Sequence, residues 1–127
     1  MKNGTLDRLV REAETDPSVL AVVLFGSAAR SQAGVGSDLD VCLIMAAADG
    51  AVALERRLHY LGRHDLDVQV FQALPLAIRS RILKEGRVLF VRDEDALYAV
   101  ARRTIAAFED FRHIHTMYLD AVLSAGS

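Results

Sequence analysis

The sequence predicts an α/β fold in which helices pack on a central mixed sheet and a long helix follows at the C-terminus. Short apolar runs rich in β-branched residues, such as Val19 to Phe25, alternate with segments whose apolar residues recur at helical spacing. The last of these segments continues from about Asp95 to Leu123. The chain has 127 residues, and we expect one domain over 1–127, with a core at about 5–95 and the long helix at about 95–123.

The N-terminal part of the chain predicts a helix followed by a buried strand. The helix is expected to start with Thr5 as its N-cap and to end at Asp16-Pro17. Val19 to Phe25 is a continuous apolar run, which is typical of a strand buried on both faces, and Gly26-Ser27 closes it.

The middle of the chain predicts a second central strand and a surface helix. The strand is expected from Asp38 to Met45, after a helical turn at 28–32 and a loop at 34–36, and residues 46–49 should leave the sheet. The helix is expected from about Gly50 to Gly62, with solvated charges beside an incomplete apolar stripe. The stripe consists of Val52, Leu54, Leu58 and Leu61, and the charged residues are Glu55, Arg56, Arg57 and Arg63.

The remaining pattern predicts two strands and two helices. Leu66 to Phe71 and Val88 to Val91 are the third and fourth strands, and Leu74 to Lys84 is a helix that Gly86 stops. The last helix would be on the order of 40 Å long, whereas a domain of this size has a radius of gyration near 14 Å, so part of it should overhang. Its apolar seam favours a protein partner or a homodimer. The seam consists of Leu97, Ala101, Thr104, Phe108, Phe111, His115, Tyr118 and Val122.

Composition excludes some classes of partner and location. The formal net charge is -2 and the pI is about 6.0, so no basic field is available for a phosphate backbone, and a nucleotide is favoured over a polynucleotide. Cys42 is the only cysteine, which suggests a reducing compartment. We expect a cytoplasmic protein without membrane contact, because no apolar run approaches the roughly 20 residues that span a bilayer.

Gly26-Ser27 is a candidate phosphate-binding turn. Glycine lets the backbone approach a phosphate closely, and Ser27 opens the next segment, where unpaired N–H groups and a hydroxyl can bind phosphate oxygens. Taken alone, the pair is more typical of an ordinary strand-to-helix turn with Ser27 as an N-cap.

Three aspartates are candidate metal ligands. Asp38 and Asp40 are two positions apart on a predicted strand, so their carboxylates leave the same face with Cα atoms about 6.6 Å apart, a span that suits two Mg²⁺ ions. A solvated strand start is the ordinary alternative, but paired anions on a buried strand require cations. Asp67 begins the third strand and joins them if that strand lies beside the second, whereas its competitor Asp65 falls in the preceding turn.

These segments resemble the minimal nucleotidyltransferases of the DNA polymerase beta superfamily. The resemblance covers about residues 5–95 and rests on Leu24 to Arg30, Gly36 to Val41 and Asp67 to Val70. It implies a polymerase beta-like palm, a magnesium-dependent reaction with two ions, and ATP as the nucleotide donor. The implied roles are triphosphate binding for Gly26 and Ser27, magnesium binding for Asp38 and Asp40, and metal binding with nucleophile activation for Asp67. The resemblance implies phosphate contact for Arg30, and a place on the surface of a helix is the alternative for this residue. Ser31 departs from the glycine that is common after this arginine.

The resemblance also implies a biological role. Stand-alone members of this size are frequently antitoxins that accompany a HEPN-domain toxin, and some transfer AMP to a tyrosine of that toxin. We therefore expect an adenylyltransferase antitoxin in a hetero-oligomer with its toxin. An antitoxin that acts by binding alone and a nucleotidyltransferase for a small molecule of the aminoglycoside type are the alternatives.

Other residues with chemical potential are expected to be structural. His113 and His115 are two positions apart on a helix and therefore point to different faces, which does not suit a metal pair. Packing is the expected role of Tyr60, Tyr98 and Tyr118.

Overall fold

The computed structural model describes residues 2–26, 40–47 and 50–125. The strands and long helices of these ranges follow one another in the predicted order. The elements are α1 (Lys2–Thr15), β1 (Val19–Phe25), β2 (Asp40–Met45), α2 (Gly50–Arg63), β3 (Asp67–Val70), a short 3-10 helix (Phe71–Ala73), α3 (Leu76–Glu85), β4 (Arg87–Val91) and α4 (Glu94–Ala125).

The four strands form one mixed sheet in the order β3-β2-β1-β4. β1 runs antiparallel to both β2 and β4, whereas β2 and β3 are parallel. β1 has the predicted bounds, and its first six residues are buried, because helices cover both faces of the sheet at this central strand. β2 agrees with its prediction from Asp40 onward, while positions 38 and 39, the predicted turn at 28–32 and the loop at 34–36 lie outside the described residues.

The helices form a layer on each face of the sheet. α1 and α2 cover the face that carries Val22, Leu24 and Val41. α3 and the start of α4 cover the other face, where Cys42 and Ile44 are buried. Alternate residues of one strand therefore enter two different cores, as strand geometry requires.

The first helix starts earlier than the sequence predicts. α1 begins at Lys2, so Thr5 lies within its first turns and is not the N-cap. The prediction was wrong because no proline precedes Thr5 to prevent a helical backbone there, and a preferred capping residue also tolerates a place inside a helix.

The predicted orientation of α2 was also wrong. Val52, Leu54 and Leu58 are exposed, whereas Ala53 and Tyr60 are buried. Tyrosine contributes a large apolar ring, and its hydroxyl donates a 2.9 Å hydrogen bond to Asp16 on the opposite side of the core. Three of the four stripe residues therefore face solvent, whereas Leu61 packs against the core on the side of the helix that Tyr60 occupies.

Two arginines of α2 correct the expectation that its charges are solvated. The Arg56 guanidinium donates to Asp16 at 3.0 Å, and Arg57 donates to the backbone carbonyl of Val68 at 3.0 Å. Both side chains lie along the core with their polar heads bonded, so they attach α2 to α1 and to β3.

Glu12 joins α1 to the C-terminal end of α2. One carboxylate oxygen lies 2.6 Å from His59, and the other lies 2.8 Å from His64 and 2.9 Å from Arg63. Burial favours the neutral acid, but hydrogen bonds with Arg63, His64 and His59 outweigh burial and lower the pKa of Glu12 from 4.5 to about 2. The carboxylate therefore stays ionised in moderately acidic solution.

This arrangement predicts a pH-dependent stability. Because the folded pKa lies below the unfolded one, the ionised Glu12 stabilises the fold fully above about pH 4.5, and the stabilisation is lost as the pH falls toward 2. Glu12→Gln should lower the free energy of unfolding at pH 6 by about 1–2 kcal/mol and flatten its dependence on pH in that window. Urea unfolding at a series of pH values measures this. Glu14→Gln, at an exposed position of the same helix, is the control, and equal pH profiles for the two variants would contradict the prediction.

α3 ends before Gly86, as predicted, and the structure leaves no room for a side chain at this position. The backbone of Gly86 is extended, with φ −72°, and its N–H donates to the carbonyl of Ile82. A Cβ atom at Gly86 would come within 2.5 Å of both the Ile82 carbonyl oxygen and a methyl group of Val23. The close approach of α3 to β1 therefore requires glycine here.

The C-terminal helix packs over its first part only. The Asp93 carboxylate accepts a hydrogen bond from the Ala96 N–H at the helix start. Ala96, Leu97 and Val100 pack against the core, and Thr104 is buried one turn later. α4 has 32 residues, which corresponds to about 48 Å. Beyond Phe108 every described side chain is exposed, including Phe111, Ile114, Met117 and Leu123. The predicted overhang is confirmed.

The remaining predictions have mixed outcomes. Cys42 is buried, and burial raises the pKa of its thiol. Tyr60 is fully buried as expected, whereas Tyr98 is 65% exposed and packs only against the Arg102 guanidinium, 5.2 Å from the centre of its ring, among the contacts described. His113 is exposed, and the side chains of His115 and Tyr118 lie outside the described residues.

No helix in the described ranges has both the length and the apolar character needed to cross a membrane.

Candidate active site

Gly26 ends β1 in a conformation that favours glycine. Its φ is +83°, in the left-handed region that L-residues with a Cβ atom rarely adopt. A Cβ atom at this position would also collide with the carboxylate of Asp40. The turn therefore places the backbone of Gly26 directly against Asp40.

Asp40 and Asp67 stand side by side on one face of the sheet. Asp40 is the register partner of Phe25 on one side and of Asp67 on the other, so the three residues form a row across β1, β2 and β3. Adjacent strands are about 4.8 Å apart, which brings the two carboxylates within reach of a shared cation. The predicted pairing of the third strand with the second is confirmed.

The row lies on the face that α3 and α4 cover, because Asp40 shares its strand parity with Cys42 and Ile44. Asp40 is half-buried at the start of β2 and Asp67 is exposed at the start of β3. Two anions in this position repel each other, and oxygen ligands of this kind suit Mg²⁺. The donor set therefore fits a divalent cation.

Gln69 is a neighbour of this site that sequence reasoning missed. Its side-chain amide donates a 3.2 Å hydrogen bond to one carboxylate oxygen of Asp67, two positions earlier on the same strand. The sequence could have predicted this contact, because side chains alternate along a strand and residues 67 and 69 therefore lie on the same face. The contact restricts Asp67 and leaves its second oxygen for another partner.

The other predicted residues divide into two groups. Asp65 is exposed in the bend before β3 and not on the strand, so it does not share the row of Asp40 and Asp67. Ser27, Arg30 and Asp38 lie outside the described residues. Within the described ranges, no group of three or more His, Cys, Asp or Glu side chains is placed to bind a metal ion.

Comparison with known proteins assigns this chain to a family. The family model described as Polymerase beta, Nucleotidyltransferase matches residues 7–95. A protein of Methanocaldococcus jannaschii, provisionally named a protein adenylyltransferase, is 32% identical over 74 residues, which are 57% of this chain and 56% of that protein. The chain thus spans about half the length of this curated relative.

Solved structures share the fold over nearly the whole chain. A crystal structure of a toxin–antitoxin with AMP-PNP has a chain that matches with a TM-score of 0.67 and 19% identity, over 97% of this chain and 99% of that one. A structure of a tri-AMPylated Shewanella oneidensis HEPN toxin in complex with its MNT antitoxin matches with a TM-score of 0.63 and 19% identity, again over 97% and 99%. At this identity the likeness concerns the fold.

The matched region contains most of α1, the whole sheet and the row of Asp40 and Asp67 beside Gly26. The chain belongs to the polymerase beta nucleotidyltransferase family.

Proposed function

We propose that this protein transfers AMP from ATP to a tyrosine hydroxyl of a partner HEPN-domain toxin and acts as the antitoxin. The observation that carries the proposal is the row of Asp40 and Asp67 against the turn at Gly26, in a chain of a nucleotidyltransferase family. The name of the curated relative and the AMPylated toxin in a complex of similar fold support the acceptor class.

Six residues have roles in this proposal. Asp40, Asp67 and Asp38 would hold two Mg²⁺ ions. Gly26 and Ser27 bind the triphosphate through backbone N–H groups and a hydroxyl, and Arg30 contacts a phosphate. Bound Mg²⁺ would supply Lewis-acid stabilisation of the negative charge on the attacking and leaving oxygens.

The reaction is an in-line displacement at the α-phosphorus. The tyrosine oxygen forms a bond to this phosphorus while the bond to the pyrophosphate oxygen breaks, and pyrophosphate leaves. Asp67 accepts the hydroxyl proton, because it is exposed to an incoming acceptor and adjacent to the metal ligand Asp40. The products are an AMP–tyrosine phosphodiester and pyrophosphate.

Mass spectrometry of the partner toxin tests the transfer. The toxin encoded beside this chain, incubated with the chain and Mg-ATP, should gain the mass of one or more AMP units on tyrosine. Omission of Mg²⁺ should prevent the gain. An unmodified toxin that the chain nevertheless binds would refute the transfer and leave neutralisation by binding as the function.

Neutralisation by contact is the second candidate function, and the overhang of α4 favours it. The described side chains beyond Phe108 project into solvent although several are large and apolar. Exposed apolar side chains of this kind are typical of a protein interface. Neutralisation of the toxin by an Asp38→Asn, Asp40→Asn, Asp67→Asn triple variant would support this function over catalysis.

The overhang also gives a separate prediction about partner binding. Phe111, which is 53% exposed, should be covered by the toxin, and Phe111→Asp should weaken toxin binding about a hundredfold because a charge replaces a buried aromatic anchor. Isothermal titration calorimetry measures the affinity. Ala106→Asp, on the opposite side of the same helix, should leave the affinity unchanged, and equal effects of the two variants would place the interface elsewhere.

A further inference from the structure

A cavity of about 160 Å³ lies beside the candidate active site, between the end of β1 and α3. It opens next to the turn that carries Gly26. Its described lining consists of Phe25, Gly26, Ile78, Arg81, Ile82 and Glu85.

Two residues of the cavity lining are neighbours of Asp40, the central carboxylate of the row. Phe25 is the cross-strand partner of Asp40, and Gly26 lies against the Asp40 carboxylate. Phe25 lies on β1 and Asp67 on β3, on opposite sides of the strand that carries Asp40. Because neighbouring strands are about 4.8 Å apart, the cavity begins about this distance from Asp40, on the side away from Asp67. Phe25 and Asp40 are register partners and therefore share one face of the sheet, so the cavity and the carboxylates lie on the same face.

The lining has the chemistry of a site for a planar ring. Phe25, Ile78 and Ile82 supply apolar surface. Arg81 and Glu85 lie at the rim, where the arginine donates to the glutamate at 3.2 Å and both side chains are partly exposed. Small-molecule sites commonly combine an apolar wall with a few polar groups that fix orientation.

We infer that this cavity takes the base of the nucleotide, with the ring against the apolar wall and its polar edge at Arg81 and Glu85. The inference rests on the proposed nucleotide transfer and adds the site for the base. A phosphate is disfavoured because the wall is hydrocarbon and the Glu85 carboxylate would repel it. A base presents both donors and acceptors at its edge, which the Arg81 and Glu85 pair can satisfy.

A pair of isoleucine variants tests the apolar wall. Ile78 is 36% exposed on α3 and Ile105 is 40% exposed on α4, outside the cavity. Ile78→Ala should weaken Mg-ATP binding about tenfold and leave the binding of magnesium tripolyphosphate unchanged, because only ATP carries a base. Ile105→Ala should alter neither. Equal effects of Ile78→Ala on ATP and tripolyphosphate, or no effect on either, would overturn the inference.

Two variants that each remove a positive charge test the role of the cavity rim. Arg81→Ala should change the ratio of affinities for ATP, GTP, CTP and UTP, while Lys84→Ala, which removes a charge from the same helix outside the cavity lining, should leave the ratio as in wild type. A uniform loss of affinity for all four nucleotides and for tripolyphosphate in Arg81→Ala would show that the arginine contacts phosphate, and would overturn the assignment of the base.

The failure of this inference is distinguishable from failure of the proposed function. If the wild-type chain binds Mg-ATP and modifies the toxin while Ile78→Ala and Arg81→Ala behave as their controls, only the base site is wrong. If the wild-type chain binds neither Mg-ATP nor tripolyphosphate, the proposed function and the base site both fail.

Discussion

Replacing Asp40 with asparagine should lower nucleotide transfer at least about a thousandfold, because the change removes the charge of a proposed magnesium ligand from the centre of the row that Phe25, Asp40 and Asp67 form. The side chain keeps its size, so the sheet should remain folded. Transfer of label from ATP to the toxin measures the loss. Thermal unfolding with and without Mg²⁺ provides a second reading, since the stabilisation of the wild-type chain by Mg²⁺ should disappear in the variant.

Two further aspartates make this prediction specific. Asp67→Asn should lose transfer to a similar degree, because it occupies the neighbouring position in the row. Asp65→Asn should keep it, because Asp65 is exposed in the bend before β3. Normal transfer by Asp40→Asn, or loss of transfer in Asp65→Asn with retention in Asp67→Asn, would show that the metal site is built differently.

Replacing Gly26 with alanine should have the second large effect. The backbone at Gly26 has a φ of +83°, and an added Cβ atom would meet the Asp40 carboxylate. We expect a loss of about 1–3 kcal/mol in the free energy of unfolding from the strained backbone. Displacement of Asp40 should in addition abolish Mg-ATP binding. Urea unfolding and calorimetric titration with Mg-ATP measure the two effects separately.

Gly62→Ala is the matched control for this substitution. Gly62 lies near the end of α2, and no heavy atom outside its own local chain comes within 4 Å of an added Cβ atom. Alanine there should leave Mg-ATP binding unchanged and should stabilise the helix by up to about 1 kcal/mol. If Gly26→Ala behaved like Gly62→Ala, the turn at Gly26 would not depend on its positive φ or on the contact with Asp40.

Much of the fold was predictable because local patterns determine it. The apolar run of β1 ends at a glycine, and both of its bounds agree with the prediction. α4 carries one helical pattern that is too long for the domain, so an overhang was expected from length alone. α2 shows where this reasoning fails, because a count of leucines and valines favoured the wrong face. The energy that Tyr60 gains from a buried ring and a bonded hydroxyl depends on Asp16, a residue distant in sequence.

The candidate site also has features that the sequence predicts and features that only the tertiary structure decides. The spacing of Gly26-Ser27, Asp38, Asp40 and Asp67, together with the resemblance to the minimal nucleotidyltransferases that it supports, was sufficient to predict nucleotide chemistry, because residue types and strand parity are properties of the sequence. Only the tertiary structure decided that Asp67 pairs in register with Asp40, and that Phe25 continues the row toward a cavity under α3. The physical reason is that strand parity determines the face of a side chain, whereas its neighbours across the sheet depend on strand order and register, which contacts between distant parts of the chain determine.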